Sequence, residues 1–247
     1  MDINKIYCES CLDTMRRMPD GFIDLVVTSP PYNMRTRIRN GEYTTREKTD
    51  HFSKKYDHFS DDLSIEEYYD FHYKVLSELL RVSNVIIWNV AIVTGSKSAI
   101  FKLIGAFADN IKDVVIWDKG NGEPAMHQNV LNRATELIII FESAGTAGRA
   151  FTNAYFDRGK LDDIWRSGRG VSVNGHAACM PDKIAGIAIN SFSKEGDLIY
   201  DPFMGSGTTA KVSHLLKRNW IGSEISKEYV DLANKRLWQY LNQKTLF

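Results

Sequence analysis

The segment Thr28-Ser29-Pro30-Pro31-Tyr32-Asn33 ends a β-branched run with two consecutive prolines. Such a turn is stiff, and it leaves the Pro30 carbonyl outside any strand ladder. These residue types suit one demanding chemistry. An aromatic amine is a poor nucleophile because its lone pair is delocalised into the ring, so a catalyst must hold both amino protons on acceptors while the nitrogen becomes tetrahedral. Ser29 Oγ and the Pro30 carbonyl are two such acceptors, and Tyr32 offers a ring face for stacking a flat heterocycle. Taken alone, the same residues are more often a strand-ending Pro-Pro turn with a core tyrosine.

The second chemical segment is Asp201-Pro202-Phe203-Met204-Gly205-Ser206-Gly207-Thr208-Thr209, between a β-rich run and a helical one. Gly205 and Gly207 permit a tight turn and close ligand approach, and the N-H groups opening the next helix are free to meet a ligand. Glu224 follows roughly 20 residues later, at the end of the next strand, where a carboxylate accepts both hydroxyl protons of a ribose. The pair suits an adenosine-bearing cofactor. A phosphate-binding Walker loop is excluded, because no lysine follows Gly207. A dinucleotide site stays open on this segment alone, since Ala210 completes G-x-G-x-x-A, and so does a purely structural glycine turn.

Both segments need a scaffold that ends strands on one edge. Residues 23–28, 85–88, 114–117, 137–141, 198–200 and 220–222 read as strands. Ser64 and Glu67 form a capping box ahead of a helix of about four turns carrying Tyr68, Phe71, Val75, Leu76, Leu79 and Leu80. Further helices are expected over 97–107, 182–191, 208–217 and from 226 onward. This alternation predicts a doubly wound α/β sheet. Residues 33–62 read as a long functional loop, with Arg35, Arg37 and Arg39 among aromatics, and 143–175 as an irregular basic segment holding Arg166 and Arg169.

The 247 residues suit one sizeable domain. Hydrophobic residues at 43% and charged residues at 25% predict a packed core. With 31 basic and 31 acidic residues, any nucleic-acid surface must be local. No run approaches the roughly 20 apolar residues of a membrane helix, and no signal-peptide pattern opens the chain, so an intracellular protein is expected. Cys8, Cys11 and Cys179 lack paired metal spacing, so reduced thiols and no metal are expected.

Together T-S-P-P-Y-N, D-P-F-M-G-S-G-T-T and the downstream G-S-E-I resemble motifs IV, I and II of the DNA amino-methyltransferases, the N6-adenine and N4-cytosine enzymes. The catalytic motif precedes the cofactor motif, which is the permuted order of the β group, and the resemblance covers nearly the whole chain. Asn4-Lys5-Ile6-Tyr7 and the segment from His176 through Pro181 are also similar. The resemblance implies a mostly parallel, seven-stranded-type sheet of the S-adenosylmethionine-dependent methyltransferase kind, forming a single domain over 1–247. In it, 33–62 faces DNA and 143–175 is a short target-recognition segment. It implies S-adenosylmethionine against Asp201, Phe203, Gly205, Ser206, Gly207 and Thr208, with Glu224 on its ribose, and Ser10 and Cys11 at its adenine. The catalytic residues are then Ser29, Pro30, Pro31 and Tyr32, acting on a flipped base, with Arg35, Arg37, Arg39, Arg166 and Arg169 on double-stranded DNA.

Two departures stand out. Family members often carry Gly-Asp-Cys where this chain has Glu9-Ser10-Cys11, which removes the usual adenine-binding carboxylate and leaves Glu9 and Asp13 as neighbours. His176-Ala177 replaces the common His-Pro. Methylation at cytosine C5 is not expected, because no cysteine follows a proline. The expected target is adenine N6, since Asn33 completes P-P-Y-N, with cytosine N4 the alternative that Ser29 favours. RNA or protein amide methylation and a catalytically silent DNA-binding homologue are further alternatives. A homodimer, a partner restriction endonuclease and a cytoplasmic place in a bacterial or phage-type host complete the expectation.

Overall fold

The computed structural model describes residues 1–33, 38, 39, 42, 43, 63–123, 128–145, 148, 150–170 and 180–241. In chain order its elements are β1 (Lys5–Tyr7), α1 (Cys11–Arg16), β2 (Ile23–Thr28), β3 (Ile38–Arg39), β4 (Glu42–Tyr43), α2 (Ile65–Val82), β5 (Ser83–Val90) and α3 (Lys97–Ala106). There follow β6 (Ile111–Glu123), β7 (Arg133–Glu142), β8 (Ile164–Arg166), α4 (Asp182–Phe192), β9 (Leu198–Asp201), α5 (Thr208–Leu215), β10 (Asn219–Ser223) and α6 (Lys227–Leu241). Eight strands form one sheet in the order β1-β10-β9-β2-β5-β7-β6-β8, and β3 pairs with β4 apart from it. Within the large sheet β7 alone runs against its neighbours β5 and β6.

The sheet is buried on both faces, which is why its central strands read as nearly continuous apolar runs. On one face α1, α2 and α3 cover Val26, Ile86, Trp88 and Phe141 with Met15, Leu76, Leu79 and Leu103. On the other, α4 sets Ile189 and Phe192 against Leu25, Val27, Ile87 and Ile140. Each such buried aliphatic side chain stabilises the fold by about 1.5–3 kcal/mol. A third cluster, with Met204, Trp220, Ala233 and Leu237, packs α5 and α6 behind β10.

The Ser64–Glu67 capping box forms as expected, each side chain bonding the other's backbone N-H at 3.1 and 2.9 Å. The helix it starts runs 18 residues rather than about four turns, because buried Val82 extends the apolar stripe into the last turn. Helix α5 stops at Leu215, two residues early, as Lys217 enters the left-handed region at φ 60°. The short elements β1, α1, β3, β4 and β8 add to the expected set, β3 and β4 falling within the segment expected to be a loop, and β1 and β8 bring the sheet from six strands to eight.

Chain order fixes where a ligand can sit. From β2 the sheet builds outward through β5, whereas from β9 it builds the opposite way through β10 and β1, so β2 and β9 flank a switch point. They pair in parallel, with Leu25 opposite Ile199 and Val26 opposite Tyr200. The crevice beyond their carboxyl ends holds both chemical segments.

Candidate active site

Beyond Thr28 the chain enters the Pro-Pro turn, and three side chains fix its course. The Thr28 hydroxyl donates to Asp201 Oδ1 at 2.8 Å. Tyr68 on α2 donates its hydroxyl to the Pro31 carbonyl at 2.8 Å. Asn33, at φ 46°, buries its side chain and donates Nδ2 to the carbonyls of Leu63 at 3.0 Å and Gly95 at 3.1 Å. Asparagine tolerates this backbone and reaches both carbonyls, so its work here is to lock the turn.

Ser29 and Tyr32 face a polar cluster drawn from three strands. Ser29 Oγ lies 2.8 Å from Tyr32 Oη, and Tyr32 donates to Glu136 Oε2 at 2.9 Å. Asn89 Nδ2 donates to Tyr32 Oη and to Glu136 Oε2, each at 2.8 Å. Lys119 Nζ pairs with Glu136 Oε1 at 2.6 Å and sits over the Trp117 ring. Burial first, and the Glu136 charge second, hold the Tyr32 phenol well above its usual range. Because β7 is reversed, Glu136 near its start meets Asn89 and Lys119 near the ends of β5 and β6.

At the end of β9, Asp201 is buried and fully engaged. Its Oδ1 accepts from Thr28 and from the Phe203 N-H at 3.0 Å, and its Oδ2 accepts from Thr209 at 2.7 Å. Burial pushes its carboxyl up to about 6, against the pull of these hydrogen bonds. Its geometry is that of a brace between the two turns. Gly205 and Gly207 adopt φ 50° and 81°. A Cβ on Gly207 meets Ala233 Cβ at 3.1 Å, so this glycine also serves close packing on α6. Arg236 reaches from α6 to the Ser206 carbonyl at 3.0 Å and to the hydroxyl oxygens of Ser206 and Thr208 at 3.3 and 3.2 Å. Those two hydroxyls therefore tie the turn to α6.

Glu224 accepts the Gly205 N-H on Oε2 and the Ser226 N-H on Oε1, both at 2.9 Å. With the Ile225 N-H as a third backbone donor, the carboxylate is fixed in orientation and still offers acceptor capacity to a ribose hydroxyl. Burial raises its carboxyl above the usual range. The glycine turn and Glu224 thus fit an adenosine-bearing cofactor. Phe203, half-buried beside the turn, packs against Phe71 and His72. His72 is fully buried, neither ring nitrogen finds a partner among the described residues, and burial lowers its pKa to about 3.

The remaining expected residues divide. Ser10 is the half-buried N-cap of α1, without a side-chain cap bond. Cys11 packs into the core, where burial pushes its thiol up to about 12, so it keeps its proton. Glu9 is held by Arg17 and by Thr14 at 2.7 Å, and Asp13 pairs with Arg16 at the surface. Arg166, on β8, is exposed and 3.7 Å from Asp118, and Arg169 is exposed just beyond it. The Trp117 indole donates to the Ser167 carbonyl at 2.9 Å, bringing this stretch to the edge that holds Lys119. Arg35 and Arg37 lie outside the described residues, and Arg39 stands on β3, of which the backbone alone is described. Among the described residues no group of three His, Cys, Asp or Glu side chains is placed to hold a metal ion.

Sequence reasoning missed Asn89, Lys119, Glu136 and Arg236. Asn89 and Glu136 did carry a signal, since each is a polar residue abutting an apolar strand run at the ligand edge. Lys119 reads as loop, and Arg236 as one charge on an exposed helix.

A family model described as DNA methylase matches residues 23–235. The orphan methyltransferase M.BamHII of Bacillus amyloliquefaciens is 58% identical over 66 residues, 27% of this chain and 25% of that protein. The type II methyltransferase M.HinfI of Haemophilus influenzae is 28% identical over 255 residues, 95% of this chain and 68% of that protein. Among solved structures, the PvuII DNA methyltransferase, named as cytosine-N4-specific, superposes with a TM-score of 0.71 at 17% identity, covering 100% of this chain and 89% of that one.

Proposed function

The chain belongs to the DNA methylase family of N6 and N4 amino-methyltransferases, and from that membership we propose that it transfers a methyl group from S-adenosylmethionine to adenine N6 in double-stranded DNA. The observation that carries the reading is the Thr28–Asp201 bond, which fastens the turn of amino-proton acceptors to the turn that fits an adenosine-bearing donor.

The donor supplies an electrophilic methyl group on a sulfonium, for direct transfer to nitrogen. Glu224 binds its ribose hydroxyls, and the turn from Phe203 to Thr208 lets the main chain approach. Ser29 Oγ and the Pro30 carbonyl hold the two amino protons of a base turned out of the duplex, and their pull grows as charge develops on nitrogen. Tyr32 stacks on the base. Arg35, Arg37, Arg39, Arg166 and Arg169 meet DNA, with 33–62 as the DNA-facing loop and 143–175 as the recognition segment of a single domain over 1–247. A cytoplasmic place, a homodimer that clasps the duplex and a partner restriction endonuclease belong to the same reading.

Asn33 underlies the preference for adenine through P-P-Y-N, although its side chain holds the turn rather than facing a base. Cytosine N4 is the second reading, favoured by a serine hydroxyl at the first acceptor position. Mass spectrometry of nucleosides from DNA treated with the protein and labelled donor tests both. Label in N6-methyladenine is expected. Label in N4-methylcytosine alone selects the second reading, and label in RNA or protein but not DNA overturns both.

A further inference from the structure

The Tyr32 hydroxyl has one proton to give and two lone pairs with which to receive. Three groups meet it: Glu136 Oε2 at 2.9 Å, Asn89 Nδ2 at 2.8 Å and Ser29 Oγ at 2.8 Å. Glu136 is ion-paired with Lys119, so it accepts only, and it takes the Tyr32 proton. The same carboxylate orients Asn89, which must turn its amide N-H groups toward Glu136 and hence toward Tyr32. One Tyr32 lone pair is left, and Ser29 is obliged to donate into it. All directions in the cluster then follow from one charge. The lone pairs of Ser29 remain for the pocket, apart from a long 3.4 Å approach by Asn89 Nδ2.

We infer that Glu136, acting through Tyr32, is the positioning residue that makes Ser29 an acceptor for the amino proton of the target base, with Lys119 holding Glu136 in place. The inference rests on the amino-methyltransferase reading. Hydrogen bonds in series polarise one another, so the row from Glu136 through Tyr32 to Ser29 makes the serine oxygen a stronger acceptor than an isolated hydroxyl. A neutral side chain thereby approaches the pull of a carboxylate. The cluster carries an uncompensated cost that favours function over packing: Asn89 Oδ1 is buried with no partner among the described residues.

The test measures single-turnover methyl transfer from labelled donor to duplex DNA, with donor affinity by calorimetry and thermal unfolding for every variant. Glu136→Gln keeps the shape and removes the charge, so transfer should slow about 100-fold, the lower end for losing a preorganised contact, while donor affinity is unchanged. Tyr32→Phe keeps the stacking ring, removes the link and should lose a comparable factor. The double variant should be no slower than the slower single one, because both cut the same row. Ser29→Asp, introduced into either single variant, places a carboxylate at the first position directly and should recover at least about tenfold. A wild-type rate in Glu136→Gln and Tyr32→Phe, additive losses, or no recovery with Ser29→Asp overturns the inference. Should Glu136→Gln fail to fold, Tyr32→Phe with and without Ser29→Asp decides alone. A wild-type chain that binds donor yet methylates no DNA overturns the parent reading, and the inference with it.

Discussion

Thr28, the last residue of β2, donates its hydroxyl to Asp201, the last residue of β9, across 2.8 Å. The two lie far apart along the chain and on neighbouring strands of the sheet. The bond fastens the Pro-Pro turn to the glycine turn.

Asp201 makes the junction sensitive to pH. Its carboxyl titrates near 6 in the fold against an ordinary 3.8, so between these values the folded chain holds a proton the unfolded chain has released. Stability from this group is therefore full below about pH 3.8 and is lost as pH rises through 6, by at most about 3 kcal/mol. Asp201→Asn should remove that slope. Thermal unfolding from pH 4 to about pH 7 checks it, and an identical slope in the variant would refute it.

His72 acts in the opposite direction. Its imidazole is neutral in the fold down to about pH 3 and ordinarily titrates at 6.5. Its contribution is full above 6.5 and is lost on acidification toward 3, as the unfolded state takes up the proton first. His72→Phe, which keeps a ring among Tyr68, Phe71, Trp88 and Phe203, should resist acid better than wild type. Acid unfolding midpoints decide the matter; an unshifted midpoint would sink the assignment.

Gly207→Val tests packing before it tests binding. The residue has φ 81°, and its added Cβ lies 3.1 Å from Ala233 Cβ, so the variant should lose roughly 1–3 kcal/mol of stability without any ligand. Gly207→Ala should lose less. Denaturant unfolding of the donor-free protein reads this directly, and full stability in Gly207→Val would show that α6 yields easily.

Arg236→Ala withdraws the guanidinium from three oxygens of the glycine turn. A loss of about 1–3 kcal/mol in stability is expected, together with weaker donor binding as the turn loosens. Arg236→Lys should restore only part, since an ammonium does not span the three acceptors. Calorimetry showing native donor affinity in Arg236→Ala would mean that the turn is rigid by itself.

The strands and helices that carry the two turns were legible because their apolar periods are strong and their ends are marked by Ser64, by the Pro-Pro step and by the glycines. The reach of β6 and β7 past their apolar runs was not, because Asp118, Lys119 and Glu136 are polar and read as loop until a neighbouring strand claims their backbone. For the same reason the sequence named Ser29 and Tyr32 but not the groups that orient them. Asp201 was legible as part of the cofactor motif, whereas its brace on Thr28 needed the β2–β9 pairing to become visible. Ser206 and Thr208 were named as ligand contacts, and their hydroxyls turn toward Arg236, an orientation no spacing rule encodes.

The seam between β2 and β9 has one more meaning. No peptide bond crosses it: a parallel ladder, with the carboxylates of Asp24 at one end and Asp201 at the other, holds together two stretches of chain that are made far apart in time as well as in sequence. What brings the two turns together is adjacency across the sheet, not nearness along the chain. The crevice therefore cannot exist in the nascent chain until β9 has been made and has found β2.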